Sequence, residues 1–199
     1  MASTVHGGSI GRCLEELCRI THPRLRSVTV DDATKLRPNA LPAKSGVYVF
    51  WWTGRLSLLR QAACNRDLTL VGPGGRPVHL NINDEWLGIS TRLPIPLYAG
   101  KSADSIAKRV GLHLRLSQMR MLPMGGGATK APRPTTSCQL RAGVEHLFPN
   151  EQDSRSLTLD NLGLSYVVLD GSDHAANRFY LEDLAIGLMR PPFNVDVER

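Results

Sequence analysis

The sequence predicts an α+β fold, with three core strands, helices between and after them, and a helix and β-hairpin inserted between the first two strands. Three observations carry this. Ser45-Gly46-Val47-Tyr48-Val49-Phe50 and Pro96-Leu97-Tyr98-Ala99-Gly100-Lys101-Ser102 are strand-like runs that each set a phenol beside a glycine. Apolar residues at helical spacing follow the second run and recur near the C-terminus. Between the two runs, Leu68 to Val71 and Pro77 to Ile82 flank Gly72-Pro73-Gly74-Gly75, a hairpin signal with residues that tolerate positive φ.

The 199 residues fit one domain, 1–199. A hydrophobic content of 42% and a charged content of 21% are ordinary for a folded protein. Lys and Arg number 24 against 18 Asp and Glu, a net charge of +6 that suits a polyanionic partner without requiring one. Cys13, Cys18, Cys64 and Cys138 form no Cys-x-x-Cys pair, and the first two point to different faces of one helix. They read as reduced, buried thiols rather than zinc ligands or disulfides. Met1-Ala2-Ser3 leads into no apolar run of signal-peptide length, and no run is long enough to span a bilayer. The expectation is a cytoplasmic protein with no membrane partner.

Taken in order, residues 1–44 read as an N-terminal helical extension. Ile10 to Ile20 is amphipathic, with Leu14, Leu17 and Cys18 on one side, and Pro23 closes it. Asp31 to Leu36 reads as a second short helix, after which Pro38 and Pro42 force a loop. Gly46 to Trp52 is a continuous β-branched and aromatic run, hence a buried strand. Residues 55–91 form the insertion, with helical spacing from Arg55 to Asn65 before the hairpin. Leu97 to Gly100 is a short strand, and Ser102 or Asp104 caps a helix running to about Gln118. Three consecutive glycines and three prolines between Met121 and Pro134 predict a mobile loop over 119–136. Ser137 to Phe148 reads as helix and Glu151 to Ser156 as polar linker. Leu164 to Leu169 is a strand, Asp170-Gly171 a turn, and a helix opens at Asp173 or His174 and reaches Met189.

Several polar groups sit on otherwise apolar elements. Alone, Tyr48 and Tyr98 are ordinary strand aromatics. Each stands beside a glycine, Gly46 or Gly100, that lets another backbone or a phosphate approach closely. Gly100-Lys101-Ser102 is not a phosphate loop, because the glycine needed five positions earlier is Ile95. Arg109 and His113 share one helix face beside the stripe Ile106, Val110 and Leu114. They are either a solvated basic face or a guanidinium grip on phosphate with a histidine to manage a proton. Glu182 lies on the stripe of Phe179, Ala185, Ile186 and Met189, where a carboxylate needs a partner. Arg178 at i−4 supplies one reading, and a divalent cation the other. Asn194, past the helix, is placed to bond the carboxylate or a strand end, or simply to make a turn.

Gly46-Val47-Tyr48 and Tyr98-Ala99-Gly100, in this order, with an arginine on the next helix and a distant helical glutamate, resemble the GIY-YIG nuclease signature. The resemblance covers mainly Ser45 to Trp52, Pro96 to Leu114 and Leu164 to Asn194, and is strongest to the free-standing restriction endonucleases of that family. It implies a small antiparallel β-sheet flanked by helices and metal-dependent hydrolysis of DNA phosphodiesters. It further implies that Glu182 holds one Mg²⁺ or Mn²⁺ per active site, that Tyr48 contacts or deprotonates the water and that Tyr98 orients it. By the same resemblance Arg109 clamps the phosphate, His113 matches the helical histidine and Asn194 the trailing asparagine. A phenol near pKa 10 is a poor base at neutral pH, so Lys101, Arg109 or the metal is expected to lower that value.

The gap of fifty residues between Tyr48 and Tyr98 departs from the compact family pattern, so the insertion must leave their strands adjacent. From Arg115 to Val144 the basic residues Arg115, Arg120, Lys130, Arg133 and Arg141 occur with no Asp or Glu, a composition that tracks phosphates or forms a solvated loop. The expected partner is double-stranded DNA, and a palindrome-cutting enzyme would be a homodimer. The alternatives are a repair nuclease, a nonspecific or toxin nuclease acting on DNA or RNA, and a non-catalytic nucleic-acid-binding module.

Overall fold

The computed structural model describes residues 7–30, 35–62, 67–71, 76–82, 94–114 and 138–194. Its elements are, in order, α1 (Gly7–Leu17), β1 (Gly46–Trp52), α2 (Leu56–Ala62), β2 (Asp67–Val71), β3 (Pro77–Asn81), β4 (Ile95–Ser102), α3 (Ile106–His113), α4 (Cys138–Leu147), α5 (Ser154–Asn161), β5 (Leu162–Val168) and α6 (Ala175–Met189). The architecture is α+β, a three-stranded antiparallel sheet in the order β4-β1-β5 and a two-stranded sheet β2-β3, both flanked by helices.

β1 is the central strand, and all seven of its residues are buried. Both of its faces meet core, which is why it reads as an unbroken apolar run rather than an alternation. Tyr48, Phe50 and Trp52 enter one core with residues of α3, α4 and α5, among them Ile106, Val110, Leu140, Val144 and Leu157. Val47, Val49 and Trp51 enter the other with Leu17 of α1 and Leu181 and Ala185 of α6. Each fully buried Val or Phe of this kind contributes about 1.5–3 kcal/mol of apolar burial. One polar chain threads the second core: Trp51 Nε1 donates to Ser165 Oγ at 2.8 Å, which donates to the Leu17 carbonyl at 2.5 Å. That satisfies a carbonyl at the end of α1 and ties the helix to β5.

Each edge of the sheet is paired at one or two residues. Along β5, His22 pairs with Leu164 through His22 N–H to the Leu164 carbonyl at 2.8 Å and the reciprocal bond at 2.8 Å. Along β4, the register against β1 slips between Phe50↔Tyr98 and Trp51↔Pro96, leaving Leu97 as the extra residue. A proline on an edge strand at a bulge removes no ladder bond. The Leu97 carbonyl turns outward and accepts from the Phe193 N–H at 3.1 Å. Arg190, in the left-handed region at φ 47, ends α6, and Pro191 and Pro192 carry the chain back to that edge.

The insertion leaves β1 and β4 adjacent. Leu59, Ala62, Leu68 and Ile82 of the insertion are part of the first core rather than an appendage to it. Several local expectations are corrected. The first helix spans Gly7–Leu17, not Ile10 to Ile20, so Cys18 lies just beyond it and is exposed rather than buried. Leu25–Val28 forms a 3₁₀ turn. The stretch Glu151 to Ser156 is not all linker, because Asp153 accepts from Ser156 N–H at 2.9 Å and starts α5. Neither Ser102 nor Asp104 caps α3. Ser105 does, accepting from Lys108 N–H at 3.1 Å, while Ser102 Oγ accepts from Ser105 N–H at 2.9 Å and shapes the preceding turn. The expected helix at Asp31 to Leu36, the hairpin turn at 72–75 and the loop over 119–136 lie wholly or mainly outside the described residues. Among the described residues, no helix is long and apolar enough to cross a membrane.

Candidate active site

A cleft of about 570 Å³ opens where the edge of β4 meets α3 and α6. Tyr98, Lys101, Arg109, Gln139, Glu182 and Asn194 line it. β4 supplies two of these on opposite faces, since Tyr98 joins the first core while Ala99, and Lys101 two residues on, belong to the α6 side. The cleft therefore wraps the strand edge, and Glu182 reaches it from the far side of the sheet.

Tyr48 stands behind this cleft, with no exposed surface. Its hydroxyl lies 2.9 Å from His113 Nε2, and His113 is itself 1% exposed. The His113 ring also packs on Tyr98, with centroids 5.0 Å apart, and on Phe50, at 5.2 Å. Gly100 sits opposite Tyr48 in the register. A Cβ there would lie 2.7 Å from the Tyr48 hydroxyl and 3.0 Å from Tyr98 Cε1, so this glycine makes room for the two phenols. Gly46 does something else: a Cβ at that position would lie 2.1 Å from the Val167 carbonyl oxygen, so its smallness admits backbone. The expected close approach of backbone is found at Gly46, whereas at Gly100 the close neighbours are the two phenol side chains.

The tyrosine pKa moves opposite to expectation. Burial raises the Tyr48 phenol well above its ordinary value, with Tyr98 adding to the rise and the Arg109 guanidinium opposing it. The Arg109 effect has the expected sign, but desolvation of a phenolate outweighs it. Tyr48 is therefore a neutral phenol at pH 7.

Glu182 is 8% exposed, on the inner side of α6. Its partner is not Arg178. Lys101 Nζ bonds Glu182 Oε2 and lies 4.9 Å from the Phe179 ring centroid. Arg178 turns instead to the β5–α6 connection, donating to the Leu169 carbonyl at 2.6 Å, the Gly171 carbonyl at 2.8 Å and Ser45 Oγ at 3.3 Å. Two carbonyls of that turn and the Ser45 hydroxyl thus hold the guanidinium away from Glu182. Ser45 in turn donates to Asp170 Oδ1 at 2.9 Å, which holds that carboxyl below its usual range.

Asn194 takes the strand-end option. Its Oδ1 accepts from Ala99 N–H at 2.8 Å and its Nδ2 donates to the Ala99 carbonyl at 2.7 Å. The side chain thus replaces the missing neighbour strand for one residue, directly beside Tyr98.

On this cleft wall Glu182 is the residue that could hold a hard divalent cation. Glu182 presents a carboxylate on the cleft wall and already holds one cationic group. Among the described residues, no three His, Cys, Asp or Glu gather as a protein cage.

The structure thus brings together Tyr48, Tyr98, Lys101, Arg109, His113, Glu182 and Asn194, with Gly100 against the two phenols; Gly46 packs on the Val167 backbone and not on these residues. Arg141 lies on α4 and is not among the residues that line the cleft. Arg115, Arg120, Lys130 and Arg133 lie outside the described residues. Gln139 escaped sequence reasoning: 7% exposed, it meets the cleft from the first turn of α4, and no motif marks it. Ser105, also on the cleft wall, was not singled out either, although its place immediately before the apolar helix stripe is a cap signal. No protein-family model, curated protein or solved structure matches this chain.

Proposed function

We propose that the protein is a metal-dependent endonuclease that hydrolyses DNA phosphodiesters, of the GIY-YIG type and closest in kind to its restriction enzymes. The observation that supports this most is the meeting of Tyr98, Arg109 and Glu182 at one open cleft, with Tyr48 and His113 bonded immediately behind it. Those residues come from β1, β4, α3 and α6, so no local sequence feature forces them together.

On this reading each residue takes one role, with Tyr48, which has no exposed surface, acting from behind the cleft wall. Arg109 clamps the scissile phosphate and stabilises charge that builds on it. Tyr98, on the cleft wall, orients the attacking water. Tyr48 is protonated at rest, so a proton taken from the water must leave it in the same event. His113 Nε2, 2.9 Å away, accepts that proton in the tautomer that carries its ring hydrogen on Nδ1. Glu182 holds Mg²⁺ or Mn²⁺, and the ion, when bound, stabilises the charge on the leaving oxygen. Asn194 fixes the backbone of β4 beside Tyr98 and so sets where that phenol points.

Incubation with mixed plasmid and genomic DNA plus Mg²⁺ tests the reading, with Glu182→Ala as control. Discrete bands identify a restriction enzyme, which on a palindrome acts as a homodimer. A smear identifies a nonspecific nuclease. DNA left intact by wild type and variant alike, but retained in a binding assay, identifies a non-catalytic nucleic-acid-binding module and removes the enzyme reading.

A further inference from the structure

The Lys101–Glu182 bond is an odd feature for a metal-binding acid. Lys101 stands on the edge strand, opposite Val47 in the register, and its ammonium bonds the same carboxylate proposed to hold the metal. The pair is not a surface ornament, since the two side chains are only 30% and 11% exposed. An ammonium and a divalent cation cannot both sit on one carboxylate without repelling at short range in a partly desolvated site. In that same position the ammonium also lies over the Phe179 ring, 4.9 Å from its centroid. It faces a cleft that a phosphate would enter.

We infer that Lys101 is a tethered counter-ion that keeps Glu182 closed to divalent cations until a phosphodiester draws the ammonium away. This rests on the nuclease reading of the cleft and adds a regulatory step to it. In the free protein the ion pair neutralises a carboxylate that would otherwise be buried unpaired. When phosphate arrives, Lys101 moves to it, Glu182 is released, and the phosphate oxygens complete a shell that one carboxylate alone fills poorly. Metal and substrate therefore bind cooperatively, and the coupling is reciprocal. Free protein loads metal weakly, so hydrolysis is confined to protein already seated on a phosphate backbone.

The test measures Mn²⁺ binding to DNA-free protein by calorimetry and by electron paramagnetic resonance of the unbound ion. Lys101→Met, which keeps most of the side-chain volume, is expected to bind Mn²⁺ about tenfold tighter than wild type, within the usual 5–150-fold range of such couplings. Lys101→Arg keeps the charge and is expected to stay near wild type. Glu182→Gln is expected to abolish the tight site in the Lys101→Met background. Metal-free thermal melts establish that each variant is folded. Lys101→Met that binds Mn²⁺ no tighter than wild type overturns the gate. If wild type still cuts DNA in a Glu182-dependent way, only the gate falls; if DNA stays intact, the nuclease reading falls as well.

Discussion

Tyr48 and His113 bond each other in the interior, hydroxyl to Nε2 at 2.9 Å, at 0% and 1% exposure, from a strand and a helix sixty-five residues apart in sequence. On the nuclease reading proposed above, this buried phenol–imidazole bond is a proton path as well as a packing feature. If they act as a unit, Tyr48→Phe and His113→Ala each slow DNA cleavage by about 10²–10⁴-fold, the range of one acid–base contribution. The double variant is then no slower than the worse single, because both remove the same relay. Cleavage rates of the three variants decide this, and losses that multiply would separate the two residues.

The stability of the fold should fall on the alkaline side for a specific reason. Burial raises the folded pKa of Tyr48, while the unfolded chain keeps the ordinary value near 10. Above that value the unfolded state releases a proton that the folded state retains, so the unfolded state gains. The Tyr48 contribution is thus complete below pH ~10 and is lost as pH rises toward the higher folded value. Urea melts at pH 8, 9, 10 and 11 should show this decline, and Tyr48→Phe should flatten part of it. An unchanged pH slope in Tyr48→Phe would place the titrating group elsewhere.

Gly100 and Gly46 should respond differently to alanine. At Gly100 the added methyl meets the Tyr48 hydroxyl at 2.7 Å and Tyr98 Cε1 at 3.0 Å, both side chains able to shift. Gly100→Ala should lose about 1–3 kcal/mol, the ordinary penalty of overpacking, and stay folded. Cleavage should nonetheless collapse, because the shift falls on the two phenols. At Gly46 the methyl meets the Val167 carbonyl at 2.1 Å, an atom held in the β1–β5 ladder. Gly46→Ala should therefore fail as a soluble fold. Circular dichroism melts beside cleavage assays check both, and a fully active Gly100→Ala would detach the phenols from catalysis.

Which parts of this were legible in the sequence follows from how local their causes are. β1 announced itself because burial on both faces demands an unbroken apolar run, and the hairpin because its turn chemistry is local. Ser105 and α5 were missed although their caps are short-range, since Ser102, Asp104 and the polar stretch at 151–156 offered competing polar residues. The site residues themselves were legible through their order along the chain. Their bonds were not. Lys101 rather than Arg178 pairs with Glu182 because the β4 register and the turn carbonyls of Leu169 and Gly171 decide it, and these are tertiary facts. The depth of Tyr48 has the same origin, as does the sign of its pKa shift.

Asn194 offers a way to separate the frame of the site from its chemistry. Its amide satisfies both backbone groups of Ala99 at the outer edge of β4, at 2.8 and 2.7 Å, and is 7% exposed. Asn194→Ala leaves a buried N–H and C=O with no replacement, at about 1–3 kcal/mol for such groups. A loss of about 2 kcal/mol in a chain this long lowers Tm by roughly 4–8 °C. Asn194→Asp preserves the acceptor for the Ala99 N–H but sets a carboxylate against the Ala99 carbonyl, so it should do no better than alanine. The expected kinetic signature is a fall in kcat with KM for DNA little changed, since Arg109 still grips phosphate while Tyr98 no longer points reliably. A variant with unchanged Tm and a selectively raised KM would instead mean that Asn194 touches the DNA, and that the edge of β4 holds its shape without it.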